Sequence, residues 1–346
     1  MRLTPRTFIL AGLIALWAQT PRVSAGLVRP ATALPVETLE AVAALPAHLI
    51  NRLQGPTAIV TATSGEHLVL DRRAHGVYRI DAAGRDMRRL LEVGHEPGRL
   101  FQPGSLAISR DDIFAVLDAP NNLQRIQYFN LEGRRIGGFF LPIGGTPQLI
   151  VGDATISGVG ALAFTGRTFL VAEPAWGSLF AELDTTGRVL RHVGQLRPTA
   201  MESDSDLHLA LNTGVPLVDP TGGFYFVFQT GVPLFRKYDA GGRLLFERHI
   251  EGPEIDPLLL ALPTTWERPA DRRPVVPPLV RTASVDREGR LWVSLQVPYT
   301  YVYDRTGRQI RTVQFAGAAI LAPLHLFFGP NARVLVTPGG YAFDGR

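Results

Sequence analysis

From residue 56 onward the chain alternates between short apolar runs and short polar turns. Stretches such as Val77-Tyr78-Arg79-Ile80, Ile126-Gln127-Tyr128-Phe129 and Tyr301-Val302-Tyr303 carry apolar or aromatic side chains in alternation, the pattern of half-buried strands. A turn motif follows such stretches: Asp81-Ala-Ala-Gly84-Arg85, Asn130-Leu-Glu-Gly133-Arg134, Asp184-Thr-Thr-Gly187-Arg188, Asp239-Ala-Gly-Gly242-Arg243 and Asp304-Arg-Thr-Gly307-Arg308. A shortened copy stands at Asp344-Gly345-Arg346. In such a turn Asp or Asn caps the backbone through its side chain, and Gly takes the positive φ that closes the loop. A second hairpin lies upstream in each unit. Its first strand reads Ser105-Leu-Ala-Ile108 or Thr282-Ala-Ser-Val285. Its second strand is strongly apolar, as in Ile113-Phe-Ala-Val-Leu117, Phe224-Tyr-Phe-Val-Phe228 and Leu291-Trp-Val-Ser-Leu295.

Four short strands recurring every ~45–60 residues are the sequence signature of propeller blades. Six such units run through residues 56–346, so the pattern predicts an all-β, six-bladed β-propeller with four antiparallel strands per blade. The sixth unit lacks a strand after its turn. A stretch within Gly26 to Asn51 is expected to supply it, so that segment 26–55 closes the ring and leaves no open sheet edge. Glu37 to Leu45 also reads as a short packing helix, and the two readings can coexist.

The second unit, Asp118-Ala-Pro-Asn121-Asn122-Leu-Gln-Arg125-Ile126-Gln-Tyr-Phe129, resembles the Asp-x-x-Asn…Arg-Ile/Val-x-x-Phe pattern of NHL-type six-bladed β-propellers. The other units keep the hydrophobic frame and lose the Asn, the Arg or both. The resemblance, to NHL-like or TolB-like exported proteins, spans about residues 56–346 and implies the fold. It implies no single activity, because such propellers serve as binding modules, lactonases, lyases and scaffolds alike.

The first 25 residues have a different character. Arg2 and Arg6 precede the apolar run Phe8 to Ala18, and Val23-Ser24-Ala25 offers a small-residue cleavage site, the order of parts in a secretory signal. Eleven apolar residues reach only ~16 Å as a helix, too short for a membrane span. The mature chain is therefore expected in the periplasm or outside the cell, with no transmembrane span. Its charge follows. The full chain has 35 Lys+Arg and 31 Asp+Glu; losing Arg2, Arg6 and Arg22 leaves 32 against 31, or +1. No clustered excess remains for a nucleic-acid backbone. The absence of Cys excludes disulfides, a Cys-ligated zinc and a thiol nucleophile.

Blade geometry sorts the remaining candidates. Turns between first and second, and third and fourth, strands share one face, which is expected to be bland. The long insertions Leu141 to Val159, Leu196 to Leu217 and Gly252 to Arg281 fall on the other face, where functional loops concentrate. The last of these holds seven prolines, the run Leu258-Leu259-Leu260 and Trp266. With Trp176, these residues make a candidate surface for a protein partner. The residues that end the second strands, Asp71, Asp118 and Glu173 foremost, are expected at the channel mouth on that face. They are candidate ligands for a hard cation such as Ca²⁺, or caps for the loops that follow. His75 and His95 suggest a less specific zinc alternative beside Asp118. Glu202 to Asp206 reads as a solvated acidic loop.

The function these features favour is an exported, non-enzymatic propeller that binds a protein partner through its long-loop face, as an accessory or scaffolding subunit of a periplasmic or membrane-associated complex. The alternative is a divalent-metal lactonase- or lyase-like enzyme at the channel mouth.

Overall fold

The computed structural model describes residues 34–142, 148–151, 154–157, 162–263, 275–329 and 333–345. They belong to one compact unit, Ala33–Arg346. The expected signal segment and Trp266 lie outside the described residues.

The repeated turn shows how the sequence builds the fold. In each copy the capping oxygen accepts from the backbone N–H four residues on: Asn130 from Arg134 at 2.9 Å, Asp184 from Arg188 at 3.1 Å and Asp239 from Arg243 at 2.9 Å. The glycines hold φ values of +64° to +89°. They also lie tight against the preceding blade. A Cβ on Gly133 would meet Leu90, one on Gly187 the Phe139 ring, one on Gly242 Val193 and one on Gly307 Phe246. The motif therefore closes a hairpin and fits it onto the outer strand of its neighbour. It is a structural repeat.

Each turn joins the third and fourth strands of a four-stranded antiparallel meander. The first blade comprises Pro56–Thr61, His67–Asp71, Gly76–Ile80 and Met87–Leu91. Four more follow, starting at Ser105–Ile108, Leu162–Phe164, Gly214–Val218 and Val280–Val285, and the sixth starts at His325–Phe328. The six first strands touch one another in circular order, the last returning to the first, so they ring a central channel. Aromatic and branched residues of the second strands fill the spaces between blades. Phe114, Phe169, Phe226 and Trp292 are all fully buried.

Ring closure follows the expected principle with an added feature. Ala43–Ala44 pairs antiparallel with Tyr341–Asp344 and completes the sixth blade. Gly84 of the first blade packs on Pro46, as its counterparts pack on true fourth strands. Just upstream, Val36–Glu40 lies parallel on Gln309–Ala316, at the outer edge of the fifth blade. Arg311 donates through Nε and Nη2 to the Glu37 carboxylate, both at 2.8 Å. The Glu37 to Leu45 stretch thus forms two strand segments and no helix. The incoming chain ties two blades together before completing one of them.

The long insertions are also folded. Gln148–Val151 pairs with Ala154–Ser157 and, in parallel, with Val275–Val276. The helix Ser205–Leu211 packs Leu207, Ala210 and Leu211 against Val276. Three segments far apart in sequence therefore build one small cap on the long-loop face. Asp204, in the stretch expected as a solvated loop, accepts from Leu207 N–H and caps this helix.

Candidate functional site

On the long-loop face, the carboxylates that end the second strands are engaged by their own loops. Asp71 is fully buried and accepts from the N–H groups of Gln54 (2.6 Å), Gly55 (3.0 Å) and Ala74 (3.0 Å). Asp118 receives a two-pronged bond from Arg125, Nε at 3.0 Å and Nη2 at 2.7 Å, and a third from Phe101 N–H. Burial raises the Asp118 pKa above its ordinary value in spite of the Arg125 guanidinium. Arg125 also donates to the carbonyls of His95 and Arg99, so this pair holds the crossover that leads from the first blade into the second. Glu173 is buried and caps the short turn Pro174–Trp176.

The structure thus uses these three carboxylates in three separate blades. Among the described residues, no group of three His, Asp or Glu stands where it would hold a metal ion. His75 accepts from Gln102 N–H at 2.9 Å, and His95 bonds Asn121 at 2.6 Å. Both rings pack on Phe101.

The partner candidates are placed as follows. Leu258 and Leu259, in the short helix Asp256–Leu260, pack against the fifth-blade core, whereas Leu260 is 88% exposed. Trp176 is half-buried and meets the His192 ring edge-on. One residue that holds the cap in place escaped sequence reasoning. Arg197 is buried and donates to the carbonyls of Leu211, Thr230 and Val232 while lying 4.4 Å over the Phe228 ring. Burial lowers its pKa to about 10, assisted by Arg236. A lone Arg beside a proline gives no periodic signal, so nothing in the sequence marked it.

The opposite face was expected to be bland, yet it carries the mouth of a cavity of about 700 Å³. The ends of the first strands and the turns that follow them line it from all six blades. Its walls include Ile108, Phe164, Val218, Val285, Phe327 and Phe328, with Thr61, Ser109 and Thr165 between them. Arg110 and Arg287 belong to the same lining.

No family model and no curated protein matches the sequence. Solved structures do resemble it. A streptogramin B lyase structure aligns over 84% of this chain and 92% of its own, with a TM-score of 0.51 and 13% identity. The virginiamycin B lyase of Staphylococcus aureus aligns over 83% and 78%, with a TM-score of 0.50 and 12% identity. At that identity the likeness shows the fold, a six-bladed β-propeller.

Proposed function

We propose that this chain is an exported binding propeller that docks a protein partner on its long-loop face, as an accessory subunit of a periplasmic or membrane-associated complex. The observation that carries this reading is the helix Asp256–Leu260, which anchors itself through Leu258 and Leu259 and turns Leu260 outward. An exposed apolar side chain on an anchored helix is an inexpensive docking element, because little ordering remains to be done on binding. Pro253 before the helix and Pro257 in its first turn stiffen the same segment. NHL-type kinship belongs to this reading and rests on Asp118–Arg125 of the second blade. A photo-crosslinking residue in place of Leu260, in the producing cell, is expected to capture a discrete partner. One placed at Arg110, on the other face, is not. Equal labelling at both positions, or none at Leu260, refutes the proposal.

A second reading, a divalent-metal lactonase- or lyase-like enzyme, draws on the likeness to the two lyase structures. Asp71, Asp118 and Glu173 do not fit a shared cation, since each is already taken by protein donors. A rise in melting temperature on adding Ca²⁺ or Mg²⁺, abolished by Asp118→Asn, would favour it.

A further inference from the structure

We propose that the cavity at the short-turn mouth of the channel binds an amphiphilic monoanion: a carboxylate on an aliphatic or aromatic body. The site lies on the face opposite the proposed docking surface and is independent of it.

Three observations carry this. First, the cavity is of the size that holds small molecules. Its volume is about 700 Å³, and it collects side chains from every blade. Second, half of the lining is apolar: Ile108, Phe164, Val218, Val285, Phe327 and Phe328, rooted in the cores between blades, reach the same cavity beside its polar groups. Burying an apolar body there removes surface from water on both sides.

Third, the charged groups at the mouth are unequally satisfied. Asp112 accepts from the N–H and the hydroxyl of Thr63. Asp286 accepts from Arg290 N–H at 2.8 Å, Arg290 Nε at 2.6 Å and Trp292 Nε1 at 2.9 Å. Arg110 and Arg287 are both exposed, and neither side chain has a hydrogen-bond or ion-pair partner among the described residues. Each guanidinium brings five N–H donors to the rim. The charge count agrees. Arg110 and Arg287 contribute +2, Asp112 contributes −1, and Asp286 is offset by Arg290, which leaves +1 over a half-apolar chamber. A carboxylate matches that charge and the planar fork of an arginine, and its hydrocarbon part matches the walls.

Arg110 and Arg287 come from the second and fifth blades, diametrically opposed in a ring of six. The two guanidinium groups therefore approach the opening from opposite sides. The hydroxyls of Thr61 and Thr165 at the same opening are already engaged by His67 and Thr168, and the Ser109 oxygen accepts from the N–H groups of Asp111 and Ile113, so the two arginines are the groups left to meet a ligand.

Isothermal titration with octanoate and octanol as probes tests the site. Octanoate is expected to bind at one per chain, and octanol at least ~10-fold more weakly. The double variant Arg110→Ala/Arg287→Ala is expected to weaken octanoate ~10-fold or more and to leave octanol unchanged. Both side chains are exposed and unpartnered, so the variant should melt with the parent. Leu260→Asp, on the far face, serves as the control that keeps full octanoate affinity. Three results overturn the proposal: no saturable octanoate binding, equal affinity for octanoate and octanol, or undiminished octanoate binding by a folded double variant.

Discussion

At the scale of single residues, the repeated turn separates two costs that are usually merged. Gly187 has φ +89° and abuts the Phe139 ring, whereas Gly98 has φ +90° with open space where a Cβ would stand. Ala at Gly98 meets only the left-handed backbone penalty, ~1–2 kcal/mol. Ala at Gly187 adds overpacking of ~1–3 kcal/mol. Urea denaturation should therefore rank Gly187→Ala below Gly98→Ala, and both below the parent. The same turns set an acid window. The Thr186 hydroxyl and amide, with the Arg188 amide, hold Asp184 at about 2 against an ordinary 3.8. Its ionised form stabilises the fold fully above 3.8, and that contribution is lost as pH falls through about 2. A higher window belongs to His325, whose buried Nδ1 has no partner among the described residues and whose pKa burial drives to about 4 from 6.5. The unfolded chain takes that proton first, so stability should decline as pH drops from 6.5 towards 4. His67, also lowered by burial, adds to the same slope. His325→Gln should flatten it in urea midpoints measured across that range, while Asp184→Asn should alter only the lower window.

At the scale of elements, what the sequence revealed follows its periodicity. Alternation and a recurring Asp-x-x-Gly-Arg turn expose regular strands, because each position repeats the same physical demand. The cap lacks that redundancy. Its parallel contact between Gln148–Val151 and Val275–Val276 joins residues more than a hundred positions apart, and two paired residues leave no period to read. Its helix was hidden because Asp204 and Asp206 look like loop chemistry until Leu207, Ala210 and Leu211 are seen to share one buried face. The channel cavity was missed for a similar reason. Each blade lends it two to four ordinary residues, and only closure of the ring puts them together. The closing segment can be tested directly. Val42 is 57% exposed, and its N–H bonds Ala342 O at 2.9 Å. Val42→Pro removes that donor with little loss of packing and should cost on the order of 1–3 kcal/mol, read as a lower melting temperature. Val42→Ala keeps the donor and should leave the melting temperature near that of the parent.

At the scale of the molecule, ring closure decides whether six marginal sheets behave as one body. Each blade shields its neighbours, and with no Cys the circle is held by packing and strand pairing alone. The seam carries more than its share of that burden. Residues 36–46 cover the edge of Tyr341–Asp344, lie along the fifth blade and seat the first-blade turn on Pro46. Leu39 and Ala41 pack beside the core formed by Trp292, Phe315 and Phe343. A chain lacking residues 1–33 retains every one of these contacts and should stay monodisperse, with the melting temperature of the longer chain. A chain lacking residues 1–46 loses them all. It leaves the edge of Tyr341–Asp344 unpaired and the buried Phe315 and Phe343 partly uncovered, the conditions under which sheets recruit other sheets. Size-exclusion chromatography with light scattering should show that second chain self-associating or precipitating. Adding a synthetic peptide of residues 34–46 in trans should return part of it to the monomeric peak, since the edge it vacated would still be formed. If the shorter chain instead remained monomeric and equally stable, closure by the N-terminal strand would not be what holds the ring.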